Sequence, residues 1–280
     1  MKTVRIIPRL DIKGPNLVKG IHLEGLRVLG RPADFAQYYY NQGADEIVFM
    51  DVVASLYERN GLQEIVKETA KSIFIPITVG GGIRTLQDIT TMLKAGADKV
   101  SINTAAIKNP QFIKEASREF GSSTIVVAIE AIKDGDQYFA FTDNGREYTG
   151  VEVVEWAKKV EDLGAGEIIL TSVDYEGTGK GFDQRLIQQV ADGISIPLIV
   201  HGGAGSIEDV ENLLFNGSTD AVCLASVLHY DAIKHLRSDM NDRAEGNIDF
   251  LLSGRSFMKF KPFNLVELKE HLHTNNIYCR

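Results

Sequence analysis

The chain has 280 residues, 44% of them hydrophobic and 24% charged, a globular composition with core enough to need no disulfide or metal staples. A net charge of −8 excludes a general nucleic-acid binder. The opening MKTVRIIPRLDIKG is interrupted too early by Arg9 and Asp11 for a signal peptide, and no apolar run approaches the ~20 residues of a membrane helix, so no membrane partner is expected.

Taken in order, RIIPRLDI, EIVFMDV, IPITVGG, KVSIN, TIVVAIEA, EIILTSVD, IPLIVHGG and DAVCLAS read as eight short strands. Stretches with helical spacing, such as LQDITTMLKAGA and VEVVEWAKKVEDLGAG, lie between them. QGADEI, KAGADKV and LGAGEI each place a glycine where a helix ends in a left-handed cap. Strands alternating with helices suit a parallel barrel or a doubly wound sheet. An internal repeat favours the barrel. IPITVGGGIRTLQDITTMLKAGADKVSINTAAI resembles IPLIVHGGAGSIEDVENLLFNGSTDAVCLASVL, and Asp11/Glu130, Gly82/Gly203 and Asp51/Asp174 repeat at a spacing of about 120 residues. The expectation is a single (β/α)₈ TIM barrel over residues 1–280, built from half-barrels at about 1–120 and 121–280. Residues 231–262, after strand eight, read as a lid, a partner surface or a tolerated surface insertion.

In such barrels chemistry sits at the carboxyl ends of the strands. Asp11 ends strand one and Glu130 ends strand five, so the two should face each other across the mouth as general acid and base. Gly80–Gly82 end strand three and Gly202–Gly203 end strand seven; Asn103–Thr104 and Ala225–Ser226 end strands four and eight. Each set joins a glycine turn to a helix start, which suits phosphate, and the doubling suggests a phosphorylated small molecule with a phosphate at each end. Close packing of strand on helix is the other reading of those glycines. DYEGTGKGFD (174–183) reads as a mobile loop, and LDIKGPNLVKG (10–20) carries Lys19 toward an anion. Arg5, Glu46, Lys99 and Glu167 start their strands and form a neutral ring at the barrel floor, either a structural ion-pair cluster or a gate for a small neutral molecule. Cys223 and Cys279 stand outside any CxxC or metal spacing and suit a reduced, cytoplasmic compartment; the six histidines show no HExxH, so neither metal nor cofactor is expected.

RIIPRLDIK, LVKG, TVGGGIR, AGADKVSIN, GAGEIILTS and GGAG together resemble the HisF family, the cyclase subunits of imidazole glycerol phosphate synthase, over about residues 3–230 and again in VELKEHLHTNNI. The resemblance implies a barrel that receives ammonia from a HisH-like glutaminase and converts PRFAR to imidazole glycerol phosphate and AICAR. It implies catalytic roles for Asp11, Glu130 and Lys19. One phosphate site falls on Gly82, Asn103 and Thr104, the other on Gly177, Gly203, Ala225 and Ser226. The ammonia gate falls on Arg5, Glu46, Lys99 and Glu167, and a glutaminase contact on Asp98. The chain departs from the family pattern at Glu130 and Glu176, where aspartates are usual, at His201 in place of a small serine, and at Arg9 in place of a cysteine. IHLEGLRVLGRP, VASLYERN, AIEA and TDNGRE are similar to a branch of HisF-like proteins associated with acetamidino modification of surface sugars. That similarity implies ammonia supply to a separate sugar amidotransferase, with authentic cyclisation and a non-catalytic scaffold as alternatives.

Overall fold

The computed structural model describes residues 3–54, 62–236 and 260–280. β1 (Arg5–Lys13) runs into a hairpin of β2 (Asn16–Ile21) and β3 (Glu24–Gly30), followed by α1 (Pro32–Asn41) and β4 (Ile47–Asp51). Next come α2 (Leu62–Thr69), β5 (Ile77–Gly80), α3 (Leu86–Ala95), β6 (Lys99–Ile102), α4 (Thr104–Lys108) and α5 (Gln111–Phe120). The second half repeats the plan. β7 (Ile125–Asp134) carries a hairpin of β8 (Gln137–Thr142) and β9 (Glu147–Glu152). After it come α6 (Val153–Asp162), β10 (Glu167–Ser172), α7 (Gln184–Ala191), β11 (Leu198–His201), α8 (Ile207–Phe215), β12 (Ala221–Leu224) and α9 (Ser226–Leu236). α10 (Leu265–Thr274) follows in the last described segment.

Eight strands pair in parallel in the order β1–β4–β5–β6–β7–β10–β11–β12, and β12 returns to β1 to close the ring. This is the (β/α)₈ barrel expected from the repeat, not a doubly wound sheet. The sequence reading did not anticipate the two hairpins, although Asp134-Gly135 and Asn144-Gly145 are turn signals in the second. Residues 10–20 read as a loop, yet β1 continues to Lys13 and turns back antiparallel as β2; β7 does the same with β8. The hairpins stand at matching places in the two halves and wall the carboxyl end of the barrel.

Period-two alternation gives the barrel two cores. Outward residues such as Ile6, Leu10, Phe49, Val79 and Leu170 pack against the helices. Inward residues Ile7, Val48, Val126, Ile169, Ile199, Ala221 and Cys223 fill the barrel itself. Gly43, Gly96 and Gly164, the expected helix stops, have φ of +81°, +116° and +96°, a region other residues enter at a steric cost. Asp98 accepts the Ile77 amide at 2.9 Å, as Asp45 accepts Ile6 and Asp220 accepts Leu198, so these acids each fasten one strand's start to the next unit. Most of the proposed insertion, residues 237–259, lies outside the described residues. No helix among the described residues is long and apolar enough to cross a membrane.

The repeat extends to helix caps. Thr85 and Asp88 form a reciprocal capping box on α3, and Ser206 and Asp209 form its counterpart on α8. Each hydroxyl satisfies an amide that the first turn leaves unpaired. Thr85→Ala and Ser206→Ala should therefore each lower unfolding free energy by about 1 kcal/mol in urea denaturation; a neutral result at either position would show that its cap is dispensable.

Candidate active site

Four inward positions of β1 rise from floor to mouth as Arg5, Ile7, Arg9 and Asp11. Arg9 is the unusual one. Its side chain is buried at 2% exposure and crosses the barrel interior. Nε donates to Asp11 Oδ1 at 2.8 Å, and Nη1 reaches Thr171 Oγ1 on β10 and His201 Nδ1 on β11, each at 3.2 Å. A guanidinium only donates, so His201 Nδ1 accepts and the ring proton belongs on Nε2. Burial holds the His201 pKa well below its ordinary value, and Arg9 and Lys19 push it the same way, so the imidazole is neutral. Arg9 Nη2 has no hydrogen-bond partner among the described residues.

Asp11 meets a second cation. Lys19, on β2, lies 3.5 Å from Asp11 Oδ2 and is bonded to Glu176 on the other side. Burial pushes the Asp11 carboxyl up, but Arg9 and Lys19 outweigh it and bring its pKa down to about 2. Burial likewise lowers Lys19, and Glu176 with Asp11 more than restores it. Glu176 also accepts the Leu23 amide at 2.9 Å, which ties the β2–β3 hairpin to the loop after β10.

Glu130, on β7 where that strand leaves the barrel ring, has no such counterion among the described residues. Its Oε2 accepts the Gly145 amide at 2.8 Å. The β8–β9 turn aims that amide inward through Asp143, Asn144 and Gly145, all at positive φ. Burial raises the Glu130 pKa to about 7, against partial relief from Arg9 and the Gly145 amide. The two carboxyl groups expected at the mouth are both there, in opposite electrostatic settings.

The two expected phosphate sets differ as well. Gly82, Asn103 and Thr104 come together with Glu130 and Asp51 around a cavity of ≈ 410 Å³ that reaches down to Ser101. Asn103 Nδ2 donates to Phe141 O at 3.3 Å, while its Oδ1 is buried without a partner among the described residues. Arg84 and Lys108 stand on the rim. Gly177, Gly203, Ala225 and Ser226 also come together, with His201 and Glu176, but around only ≈ 20 Å³. A Cβ on Gly203 would lie 1.9 Å from the Gly181 carbonyl, so close packing requires glycine there whatever else it binds.

At the floor, Arg5 bonds Glu46 at 3.0 Å and Glu167 at 2.9 Å, and Lys99 bonds the same two acids at 3.0 and 2.9 Å. The four groups form a closed ring, with Thr78 Oγ1 donating to Glu46 at 2.5 Å. Asp98 lies outside this ring, occupied by the Ile77 amide. Among the described residues, no cluster of three or more His, Cys, Asp or Glu is placed to hold a metal ion.

The sequence reading did not assign roles to Arg9, Thr171 or Gly145. Arg9 had a legible signal, a cation at an inward position between Ile7 and Asp11. The Gly145 amide had none, because its use depends on where the hairpin folds.

A family model described as histidine biosynthesis protein matches residues 5–234. A Legionella pneumophila protein named imidazole glycerol phosphate synthase subunit HisF is 59% identical over 210 residues, 75% of this chain and 99% of its own length. Proteins of the same name from Natranaerobius thermophilus and Dehalococcoides mccartyi are 45% and 46% identical, over 87% and 82% of this chain and 98% and 91% of theirs.

The position of Glu130 has a consequence for stability. Its carboxyl shifts from 4.5 to about 7 on folding, so its ionised form is penalised only in the folded state. That contribution is intact below pH 4.5 and is lost as pH rises through about 7. Glu130→Gln keeps an acceptor for Gly145 and does not ionise. It should match the parent at pH 4.5 and be more stable by roughly 3 kcal/mol at pH 8. Equal denaturation midpoints at both pH values would show that Glu130 is solvated when charged.

Proposed function

This chain belongs to the HisF family of histidine biosynthesis proteins, and from that membership we propose that it is the barrel subunit of an imidazole glycerol phosphate synthase. In this reading it converts PRFAR and ammonia to imidazole glycerol phosphate and AICAR. The observation that carries it is the joint placement of Glu130, Gly82, Asn103 and Thr104 on one cavity at the barrel mouth. The amides at the glycine turn and at Thr104 receive a phosphate, and Glu130 meets the reacting nitrogen. A carboxyl with a pKa of about 7 has the proton affinity that acid–base work at neutral pH requires. Lys19, beside Asp11 under the hairpin, supplies positive charge to an anionic intermediate once the hairpin opens.

Ammonia comes from a HisH-like glutaminase docked at the floor, near Asp98. The Arg5–Glu46–Lys99–Glu167 ring is the gate: it is neutral as a set, so each ion pair can exchange partners around the ring without leaving a net buried charge. The names borne by the relatives favour histidine biosynthesis over sugar modification.

One observation favours a second reading. His201 lines the second phosphate set, whose free space of ≈ 20 Å³ is far smaller than the ≈ 410 Å³ beside the first. A ligand with two phosphates spanning the mouth then requires those loops to part, whereas ammonia passing through does not. Under that reading the barrel hands ammonia to an amidotransferase that makes acetamidino sugars.

The deciding assay is turnover of PRFAR by the purified chain with ammonium salts, beside an ordinary HisF. Rates within about tenfold of the control are expected of a cyclase, a difference of about 1.4 kcal/mol in barrier. A folded, phosphate-binding protein without turnover would overturn the cyclase reading in favour of the second.

A further inference from the structure

We propose that Glu130 is the one carboxyl at this mouth that takes and returns protons, and that Arg9 is a positioning residue that keeps Asp11 a permanent anion. The proposal rests on the cyclase reading and divides the work between the two acids that reading places at the mouth. Both Asp11 oxygens face cations, Arg9 Nε at 2.8 Å and Lys19 Nζ at 3.5 Å. Protonating Asp11 would break both pairs and strand a guanidinium that is buried at 2% exposure. Neither Asp11 nor Arg9 lines the ≈ 410 Å³ cavity, whereas Glu130 does. Among the described residues Glu130 makes one hydrogen bond, to the Gly145 amide, and no ion pair.

The surroundings of Glu130 agree with this division. Arg9 and Asp11 face it from β1, and Asp143 faces it from the β8–β9 turn. Asp51 on β4 shares its cavity, with Arg84 and Lys108 at the rim. β6 and β10 present Asn103 and Thr171, which do not titrate. The cavity also descends along β6 and β7 to Ser101 and Ala128. Ser101 is the next inward position after Lys99 of the floor ring, and its hydroxyl is buried with no partner among the described residues. Arg9 does not line this cavity; its guanidinium ends on Thr171 and His201 of β10 and β11. A small neutral molecule rising from the floor along β6 and β7 therefore arrives at Glu130 without displacing Arg9.

The step balances without a further reagent. The ammonia lone pair forms a C–N bond to the electrophilic carbon, and the C–N bond to the departing amine breaks, its electron pair leaving with that nitrogen. The proton shed by the entering nitrogen passes to a Glu130 oxygen and then to the departing nitrogen.

The test is one pH titration with two readouts. The first is kcat/KM for ammonium-driven turnover of PRFAR. The second is the side-chain carboxyl ¹³C signals of labelled protein, assigned with Asp11→Asn and Glu130→Gln. The parent should show an acid limb near the Glu130 pKa of about 7, and Glu130→Gln should lose that limb and on the order of 100-fold or more in rate. The Asp11 signal should stay ionised to the acid end of the titration. Arg9→Gln should move both carboxyls upward, because it removes a cation from each, and Arg9→Lys should restore the parent profile. Titration of Asp11 between about pH 5 and 8 in the parent, or survival of the limb in Glu130→Gln, would overturn the proposal. If Arg9→Gln does not fold, the parent and Glu130→Gln still decide it. If no protein turns over PRFAR, the cyclase reading fails, and the carboxyl signals alone judge the proposal.

Discussion

A guanidinium buried inside a barrel must be answered by anions and acceptors at fixed positions, and the mouth of this barrel is arranged around that demand. Arg9 is paired with Asp11, Asp11 with Lys19, and Lys19 with Glu176. The chain of contacts alternates in sign and sums to zero. Neutrality makes burial tolerable, since an unmatched ion in low dielectric costs several kcal/mol and a matched set recovers most of it. Glu130 is buried beside this set and forms no ion pair among the described residues, so its proton is retained to near neutral pH. The opposite end of the barrel obeys the same rule, with Arg5 and Lys99 against Glu46 and Glu167. Between the two neutral sets lies an apolar layer that includes Ile7, Val48, Ile169 and Cys223.

This constraint makes an internally repeated fold asymmetric where it acts. The halves share strands, hairpins and capping boxes, yet Arg9 points from the first half into the second and ends on Thr171 and His201. The second phosphate set, lined by His201 and Glu176, has little free space, and the first is open. Glu176 adds to the difference. By holding Lys19 and the Leu23 amide together, it closes the β2–β3 hairpin over the second half. The corresponding hairpin, β8–β9, sets the Gly145 amide on Glu130, accepts Asn103 at the Phe141 carbonyl, and donates from Asp143 to Thr104 and from Asn144 to the Leu23 carbonyl.

The barrel was legible because its signals are periodic and local. Eight apolar runs, glycine helix stops at Gly43, Gly96 and Gly164, and a repeat of about 120 residues each depend on neighbours in sequence. The floor ring and the facing acids Asp11 and Glu130 followed from strand position alone, because inward alternation fixes which side chains meet. The first hairpin was hidden because LDIKGPNLVKG lacks the Asn-Gly or Asp-Gly signal, and the chain turns there through Gly14–Pro15; the second carried both signals, Asp134-Gly135 and Asn144-Gly145, and was legible in principle. The inequality of the phosphate sets was hidden for another reason. Gly82 and Gly203 look alike in sequence, but what separates them is the space their surroundings leave, and the approach of Glu176 and Gly177 from another loop does not appear in a local motif. Residues 237–259 lie outside the described residues, so the reading of 231–262 as a lid or partner surface meets the structure only at its ends.

The substitutions that set this chain apart from the family pattern form one physical set. Arg9 brings a cation into the axis, and a cation there requires a close anion, which Asp11 supplies from two residues away on the same face of β1. An anion so engaged is a poor proton acceptor, because the pair is stronger than any proton bond it would form near neutral pH. The opposite wall then has to supply a group that protonates more readily. A glutamate at position 130 does so. Its carboxyl accepts the Gly145 amide and lines the cavity that Arg9 does not, and there burial outweighs the pull of the guanidinium. His201 completes the set by remaining neutral, since it takes a hydrogen bond from Arg9 without adding a second positive charge to the axis. Each replacement taken alone would leave a charge unmatched or a proton acceptor missing; together they leave the protonatable carboxyl on β7, the first strand of the second half, beside the first-half phosphate set that remains open.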